Sequence, residues 1–425
     1  MPRLPTPLLR HAYALHPLLP LLLRECRDLP SARNELRWLG EYAARPASAR
    51  RWGWRCGKTA LRGGDEAVRT QLRLREMVRQ RARGVPLQYI LGDALFGGLE
   101  VLCERGVLVP RPETESLTTR TANLLLSTLL PPPSPPQTKS QTQTQPPALR
   151  LIDLCTGTGC IPLLLHALLA PSFPRLSIYG VDISARALSL ARRNLAHNLS
   201  LGTVCERARG EVRFLRGDVL RSTSTSTSMG MGVDGEVKGI EALFPGMGTA
   251  ASEAGGDTND NIPSEPAERP PAHSEISTNN SNDNTITILI SNPPYISPAQ
   301  FLDGTTARSV RLFEPRLALV PPPVSSVDID AVDGTVRRED VFYPRILAFA
   351  AAEGVRADLV VMECGDRGQA GRVRGVAEKM EGGEGEVEVW GCEGDGSGLG
   401  GVGDGEDCGE EGARGVVVRR GVFRR

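Results

Sequence analysis

Leu149-Arg150-Leu151-Ile152-Asp153-Leu154-Cys155-Thr156-Gly157-Thr158-Gly159-Cys160-Ile161-Pro162-Leu163-Leu164-Leu165 reads as a strand, a glycine bend and an apolar helix. Glycines let the backbone approach a ligand closely, and the N-terminus of the helix that follows offers free N–H groups. The bend departs from the GxGxxG dinucleotide fingerprint. Outward from it the pattern repeats. A strand over Leu176–Val181 ends in Asp182, a carboxylate placed to accept both hydroxyls of a ribose. A helix over Ile183–Asn198 turns Ala187, Leu188, Ala191 and Leu195 inward. A third strand, Val212–Leu215, ends near Asp218, which can take an adenine amino group. Taken singly, each acid is also a helix cap or a loop charge. Together, a glycine turn and two acids at three strand ends line one edge of a doubly wound α/β sheet and favour a nucleoside site.

A further apolar run, Ile286–Leu289, leads into Ile290-Ser291-Asn292-Pro293-Pro294-Tyr295-Ile296. Two prolines fix φ and remove two donors, so the loop keeps its shape and its carbonyls remain free to accept. The Asn292 oxygen and the Pro293 carbonyl can take both hydrogens of a planar NH2 group, and the Tyr295 ring can stack on that plane. Such a grip suits a primary amide or an exocyclic amine. The plainer reading is a strand-ending turn. Beyond it the pattern predicts a helix over 340–353, a strand over 358–363, a helix over 369–379 and two last strands at 386–390 and 416–419. Pro344 falls in the first turn of its helix, where a missing N–H costs little.

Upstream, residues 27–83 read as helical, with a cap at Ser31 followed by Leu36, Leu39 and Tyr42. A helix over Glu66–Arg81 puts Val68, Leu72, Leu74 and Val78 partly on one face. Arg69, Arg73, Arg79 and Arg83 form a stripe opposite, read first as a solvated surface and second as a dock for an RNA-bound partner. Residues 84–115 predict a small hairpin around Phe96-Gly97-Gly98-Leu99 and a proline-bracketed turn in which Arg111 and Glu113 hold each other or a ligand. The expected division is a helical unit at 1–84, a hairpin and linker at 85–130, a flexible spacer at 131–147 and the main domain at 148–425. The last carries an unstructured insertion at 221–285 and an acidic, glycine-rich loop at 391–415.

Composition narrows the classes. Lys plus Arg and Asp plus Glu are each 50, so the net charge is zero, which argues against a large nucleic-acid footprint. The nine cysteines form no CxxC pair and the five histidines are scattered, so neither a metal site nor a disulfide framework is expected. No apolar run is long enough to cross a membrane. Arg3 and Arg10, with no acid before Glu25, suit either a mitochondrial presequence or a first helix of the folded protein.

Six stretches together resemble a known family. These are Pro86-Leu87-Gln88-Tyr89-Ile90-Leu91-Gly92, Val109-Pro110-Arg111-Pro112-Glu113-Thr114-Glu115, Asp153–Gly159, Val181-Asp182, Asn292–Ile296 and Glu314-Pro315-Arg316-Leu317-Ala318-Leu319. The chain is similar to the HemK/PrmC protein-(glutamine-N5) methyltransferases that act on peptide-chain release factors, and it looks like a fungal, mitochondrial member. The Asn-Pro-Pro-Tyr tetrad alone also occurs in adenine-N6 methyltransferases; its combination with the Pro-Arg-Pro-Glu-Thr-Glu turn and the Glu-Pro-Arg-Leu-Ala-Leu loop is what carries the resemblance. It implies a seven-stranded Rossmann-like domain using S-adenosylmethionine (SAM), preceded by a small helical domain that docks the substrate. Cys155, Thr156, Gly157, Thr158 and Gly159 would wrap the amino-acid end of SAM, Asp182 its ribose, and Asp218 with Val219 its adenine. Asn292, Pro293, Pro294 and Tyr295 would hold the glutamine of a Gly-Gly-Gln loop, with Asn292 also beside SAM; Arg111 and Glu113 are weaker candidates. Cys155 stands where the family often has glycine. The expected partner is a release factor, with a monomeric chain, no stable nucleic acid and no membrane. The rival readings are a nucleic-acid adenine-N6 methyltransferase and a non-catalytic release-factor or ribosome binding module.

Overall fold

The computed structural model describes residues 3–46, 66–130, 145–221, 237–244, 285–323, 336–391 and 414–424. The spacer at 131–147, the insertion at 221–285 and the acidic loop at 391–415 lie largely outside these residues. The N-terminal part consists of α1 (Thr6–Leu15), α2 (Leu19–Cys26), α3 (Leu29–Ala44), α4 (Glu66–Ala82) and the short α5 (Leu87–Leu91). A hairpin follows, β1 (Asp93–Phe96) and β2 (Leu99–Leu102), then α6 (Pro112–Leu129). The main domain alternates β3 (Ala148–Leu154), α7 (Cys160–Leu169), β4 (Leu176–Asp182), α8 (Ala185–Leu201), the single turn α9 (Ala208–Glu211) and β5 (Val212–Arg216). It continues through β6 (Thr285–Ser291), α10 (Pro298–Asp303), α11 (Arg308–Phe313), α12 (Phe342–Ala351), β7 (Leu359–Cys364), α13 (Arg367–Glu381), β8 (Glu386–Gly391) and β9 (Arg414–Arg419).

The main sheet has seven strands in the order β5-β4-β3-β6-β7-β9-β8. The first five are parallel, and β9 runs antiparallel between β7 and β8. This is the Rossmann-like doubly wound arrangement. Strand parity sorts the core. Leu149, Leu151, Ile178, Ile286, Ile288, Ile290, Leu359 and Val361 face α6, α7 and α8. Ile152, Leu154, Val181, Leu289, Val360 and Met362 face α12 and α13. Buried on both sides, these strands are nearly continuous apolar runs, as parallel strands are. The chain order reverses between β3 and β6, so the crevice beyond their carboxyl ends is the switch point where ligands bind in open α/β sheets.

The N-terminal helices share a core of their own, which includes Ala12, Leu19, Leu22, Leu23, Leu39, Leu74 and Val78 and reaches Tyr89 and Val109. Residues 6–26, at the start of the chain, form α1 and α2 and pack into this core. Leu19, Leu22 and Leu23 are buried to 2% exposure or less, a contribution of roughly 5 kcal/mol or more.

Several local expectations change. Asp28, not Ser31, caps α3: its carboxylate accepts the Ser31 N–H at 2.8 Å, because Pro30 already occupies the first turn and Ser31 is inside the helix. Val68 and Leu72 are exposed, whereas Leu74 and Val78 are buried. The arginine stripe is only partly solvated, since Arg73 donates to the Ala43 carbonyl and to Glu66. Part of the stretch expected to lack structure packs tightly. The Asp218 N–H donates to the Lys238 carbonyl, Ile240 and Phe244 are buried, and the Phe244 ring meets Tyr179 edge-on at 5.5 Å. The apolar residues Ile240, Ala242, Leu243 and Phe244 are one short cluster in a long polar run, too little to show as periodicity.

Candidate active site

A cavity of about 550 Å³ opens at the switch point. Its walls bring together Cys155, Thr156, Gly157 and Thr158 from the bend after β3, Asp182 from the end of β4, Asp218 and Val219 beyond β5, and Asn292 and Pro294 beyond β6. Arg111 and Thr114 come in from the start of α6, and Pro315, Leu317 and Ala318 from the loop after α11. Pro293, Tyr295, Glu113 and Gly159 are not among the lining residues.

The bend is shaped by its backbone. Cys155 has φ +65°, Gly157 φ +55° and Gly159 φ +77°. Cys155 thus takes a left-handed conformation that glycine adopts without strain and other residues at about 1–2 kcal/mol. A Cβ at Gly159 would stand 2.9 Å from both Ala191 and Phe214, so no side chain fits there. The Thr158 carbonyl is held by Asn194 Nδ2 at 2.9 Å. The same buried Asn194 exchanges bonds with the backbone of Leu102, at 2.7 and 3.3 Å, and Asn198 does likewise with Glu100. Two asparagines one helical turn apart on α8 therefore pair with the edge of β2 as a strand would.

Asp182 accepts the Gly157 N–H on Oδ2 at 2.9 Å and the Ser184 N–H on Oδ1 at 2.8 Å. Burial pushes its carboxyl above the ordinary range, and the two amides pull it back. Asp218 closes its own turn, accepting the Leu220 N–H at 2.9 Å. Burial, with Asp182 and Asp153 nearby, raises the Cys155 thiol well above its usual value, which favours the neutral thiol over the thiolate.

Asn292 sits one residue past β6, beside Cys155, since Leu154 and Ser291 are register partners and the Ser291 hydroxyl donates to the Leu154 carbonyl at 2.8 Å. The tetrad's asparagine and the glycine bend are thus neighbours across one strand spacing. Asn292 Nδ2 donates to Thr114 Oγ1 at 2.9 Å, and Thr114 Oγ1 donates to Glu363 Oε2 at 2.7 Å. Tyr295 turns its hydroxyl to Glu363 Oε1 at 3.3 Å. Its ring lies against Gly365, where a Cβ would be 2.9 Å from Tyr295 Cδ2. Gln369 anchors the loop from below, accepting the Gly365 N–H and donating to the Tyr295 carbonyl. The Ile296 N–H donates to the Leu319 carbonyl and ties in the loop that follows α11.

The expected Arg111–Glu113 pair does not form. Glu113 is exposed, and Arg111 reaches Glu314 at 2.8 Å. Glu314 is buried and also accepts the Val109 N–H at 3.2 Å. The two motifs, some two hundred residues apart, are halves of one clasp. Thr114 and Glu363 are functional candidates that the sequence reading passed over. Glu363 had a signal: it is the one acid in the apolar strand of residues 359–364, next to its last residue, at the same sheet edge as Asp182.

The site suits SAM on its own geometry. The cavity has the size of a small-molecule pocket. The glycine bend leaves room for close backbone approach, and one carboxylate stands at the end of the neighbouring strand. Thr156, Gly157, Asp182, Asp218 and Val219, which the resemblance assigns to SAM, all line this cavity, and Gly159, assigned with them, does not.

No protein-family model matches the chain. Among solved structures, the hMettl16 catalytic domain in complex with a MAT2A 3′UTR hairpin is 14% identical, with a TM-score of 0.38 over 82% of this chain and 83% of that one. Among curated proteins, the mitochondrial MRF1 N(5)-glutamine methyltransferase MTQ1 of Saccharomyces cerevisiae is 29% identical over 321 residues, 75% of this chain and 68% of that protein. The probable MRF1 mitochondrial N(5)-glutamine methyltransferase mtq1 of Schizosaccharomyces pombe is 28% identical over 336 residues, 78% and 81% of the two chains. The release factor glutamine methyltransferase of Haemophilus influenzae is 36% identical over 138 residues, 32% of this chain and 42% of that one. The chain is therefore a homologue of the release factor glutamine methyltransferases, the mitochondrial proteins of fungi among them.

Proposed function

We propose that the protein methylates the side-chain nitrogen (N5) of the glutamine in the Gly-Gly-Gln loop of a peptide-chain release factor, using SAM, in the mitochondrion. The observation that carries this reading is the position of Asn292: its carboxamide sits at the wall of the cavity, one strand from the glycine bend, with its nitrogen end already occupied by Thr114. The oxygen end is then left to accept an N–H from a substrate amide.

SAM, when bound, supplies a methyl group already activated by its sulfonium. The protein's task is to aim a poor nucleophile, because an amide lone pair is delocalised into its carbonyl. Asn292 Oδ1, with the Pro293 carbonyl, would take the two hydrogens of the glutamine NH2, draw electron density onto nitrogen and set its line of approach. Such positioning supplies about 7–11 kcal/mol of a barrier. One amide hydrogen stays on nitrogen and the other leaves as a proton after transfer, so no strong base is needed. Arg111 and Glu314 hold the loop that covers the site. The helical unit at 1–84 would dock the release factor.

Replacing Asn292 with alanine tests the reading. An acceptor aimed at developing charge is worth about 2.7–4 kcal/mol, so kcat should fall about 10²–10³-fold while SAM still binds. Turnover of the release factor within tenfold of wild type refutes the assignment.

A further inference from the structure

Asn292 is held by a chain of hydrogen bonds whose direction is set at its far end. Glu363, when ionised, has only acceptors to offer. The Thr114 hydroxyl has one proton and gives it to Glu363 Oε2 at 2.7 Å. Thr114 Oγ1 must then accept from its other neighbour, and Asn292 supplies Nδ2 at 2.9 Å. That choice orients the carboxamide: nitrogen toward α6, oxygen toward the cavity. Protonated Glu363 reverses the logic. Its O–H donates to Thr114, the hydroxyl proton turns toward Asn292, and the carboxamide is stable with its oxygen inward and its NH2 facing the cavity. An NH2 there meets the substrate NH2 donor to donor.

We infer that Glu363, acting through Thr114, is a positioning residue that selects which end of the Asn292 carboxamide faces the substrate, so that methyl transfer requires the ionised carboxylate. The inference rests on the function proposed above and adds to it a polarity relay. Parity supports it independently, because Asn292 and Glu363 both point to the sheet face that α6 covers, where Thr114 bonds to both. The groups around Glu363 are Arg111 and Glu113 at the start of α6, Tyr295 after β6, and Tyr343 on α12, whose hydroxyl donates to the Glu363 carbonyl. From β9, Gly415 is its register partner, with Arg414 adjacent. Burial is the main influence and Glu113 adds to it, while Thr114, Tyr295 and Arg111 oppose; the carboxyl is pushed up to about 7. Glu363 therefore changes charge in the range where a mitochondrial or cytoplasmic enzyme works.

The test is kcat against pH, at saturating SAM and release factor, for wild type, Thr114→Val, Thr114→Ser and Glu363→Gln, with SAM binding by calorimetry as the check on folding. Wild type should gain about tenfold in kcat from pH 6 to pH 8, as one ionisation near 7 requires. Thr114→Val removes the relay and should lose at least tenfold in kcat with little change in the KM for release factor; Thr114→Ser should restore both rate and profile. Glu363→Gln presents one donor and one acceptor at every pH, as the protonated carboxyl does, so its kcat should stay at least tenfold below that of wild type at pH 8 and show no acid limb. An active wild type with no acid limb, a Glu363→Gln variant that retains it, or a Thr114→Val variant within twofold of wild type overturns the relay and leaves the function standing. A wild-type protein that methylates no release factor overturns both.

Discussion

Replacing Arg111 with alanine should cost about 3 kcal/mol of folding free energy, and the structure says where the cost arises. The Glu314 side chain is 2% exposed and that of Arg111 is 27% exposed. Without the guanidinium, the Glu314 carboxylate stays in the protein with one described donor, the Val109 N–H at 3.2 Å. Breaking a buried ion pair from one side costs about 3–5 kcal/mol. The open flank of Arg111 admits water to the vacated space, which places the value at the lower end. Adding Glu314→Gln to the same chain removes the stranded charge and keeps an acceptor for Val109, so the double variant should recover about 1–2 kcal/mol. Urea unfolding followed by tryptophan fluorescence measures both. A single variant that costs under about 1 kcal/mol would put the pair among surface ion pairs. A double variant no more stable than the single one would show that the stranded charge is not the source. Either result refutes the reasoning. SAM affinity should fall too, since Pro315, Leu317 and Ala318 follow Glu314 directly and line the cavity.

Gly365→Ala should drive the Tyr295 ring away from Glu363, because the new methyl would stand 2.9 Å from Cδ2; we expect kcat to fall about 10–100-fold with the SAM dissociation constant unchanged, and an unchanged kcat would show that the ring has room to move. Cys155→Gly should relieve left-handed strain of about 1–2 kcal/mol against about 0.5–1 kcal/mol of added chain entropy, leaving the protein equal in stability or up to about 1.5 kcal/mol more stable in the same urea assay. A loss beyond about 1 kcal/mol would mean that the packing of the thiol outweighs its backbone.

The parts of the site that are local in the chain were legible. A strand that breaks at Asn292-Pro293-Pro294, and another that breaks at a glycine bend, can be read from periodicity and turn chemistry alone. That the two strands are neighbours follows once the sheet is doubly wound. What pairs across the fold was not legible. Arg111 and Glu113 are two apart at a helix start and so point to different sides of it; the partner of Arg111 lies in a loop that no local pattern connects to it. Thr114 was in view as a motif residue, but its role depends on Glu363, and the register between α6 and β7 is set by packing. Val68 and Leu72 belong to a helical face that finds nothing to cover it among the described residues, while Ile240 and Phe244, with Leu243, form a short apolar cluster that joins the core on the second face of the sheet.

Asn194 gives the catalytic chamber a mechanical connection to the outside. Its one carboxamide grips the Thr158 carbonyl with the same nitrogen that reaches Leu102, so the first sheet's hairpin and the cofactor bend are pinned to a common point on α8. A protein that seized residues 93–102 from solvent would be pulling on the glycine bend, and a hairpin pressed home would steady it.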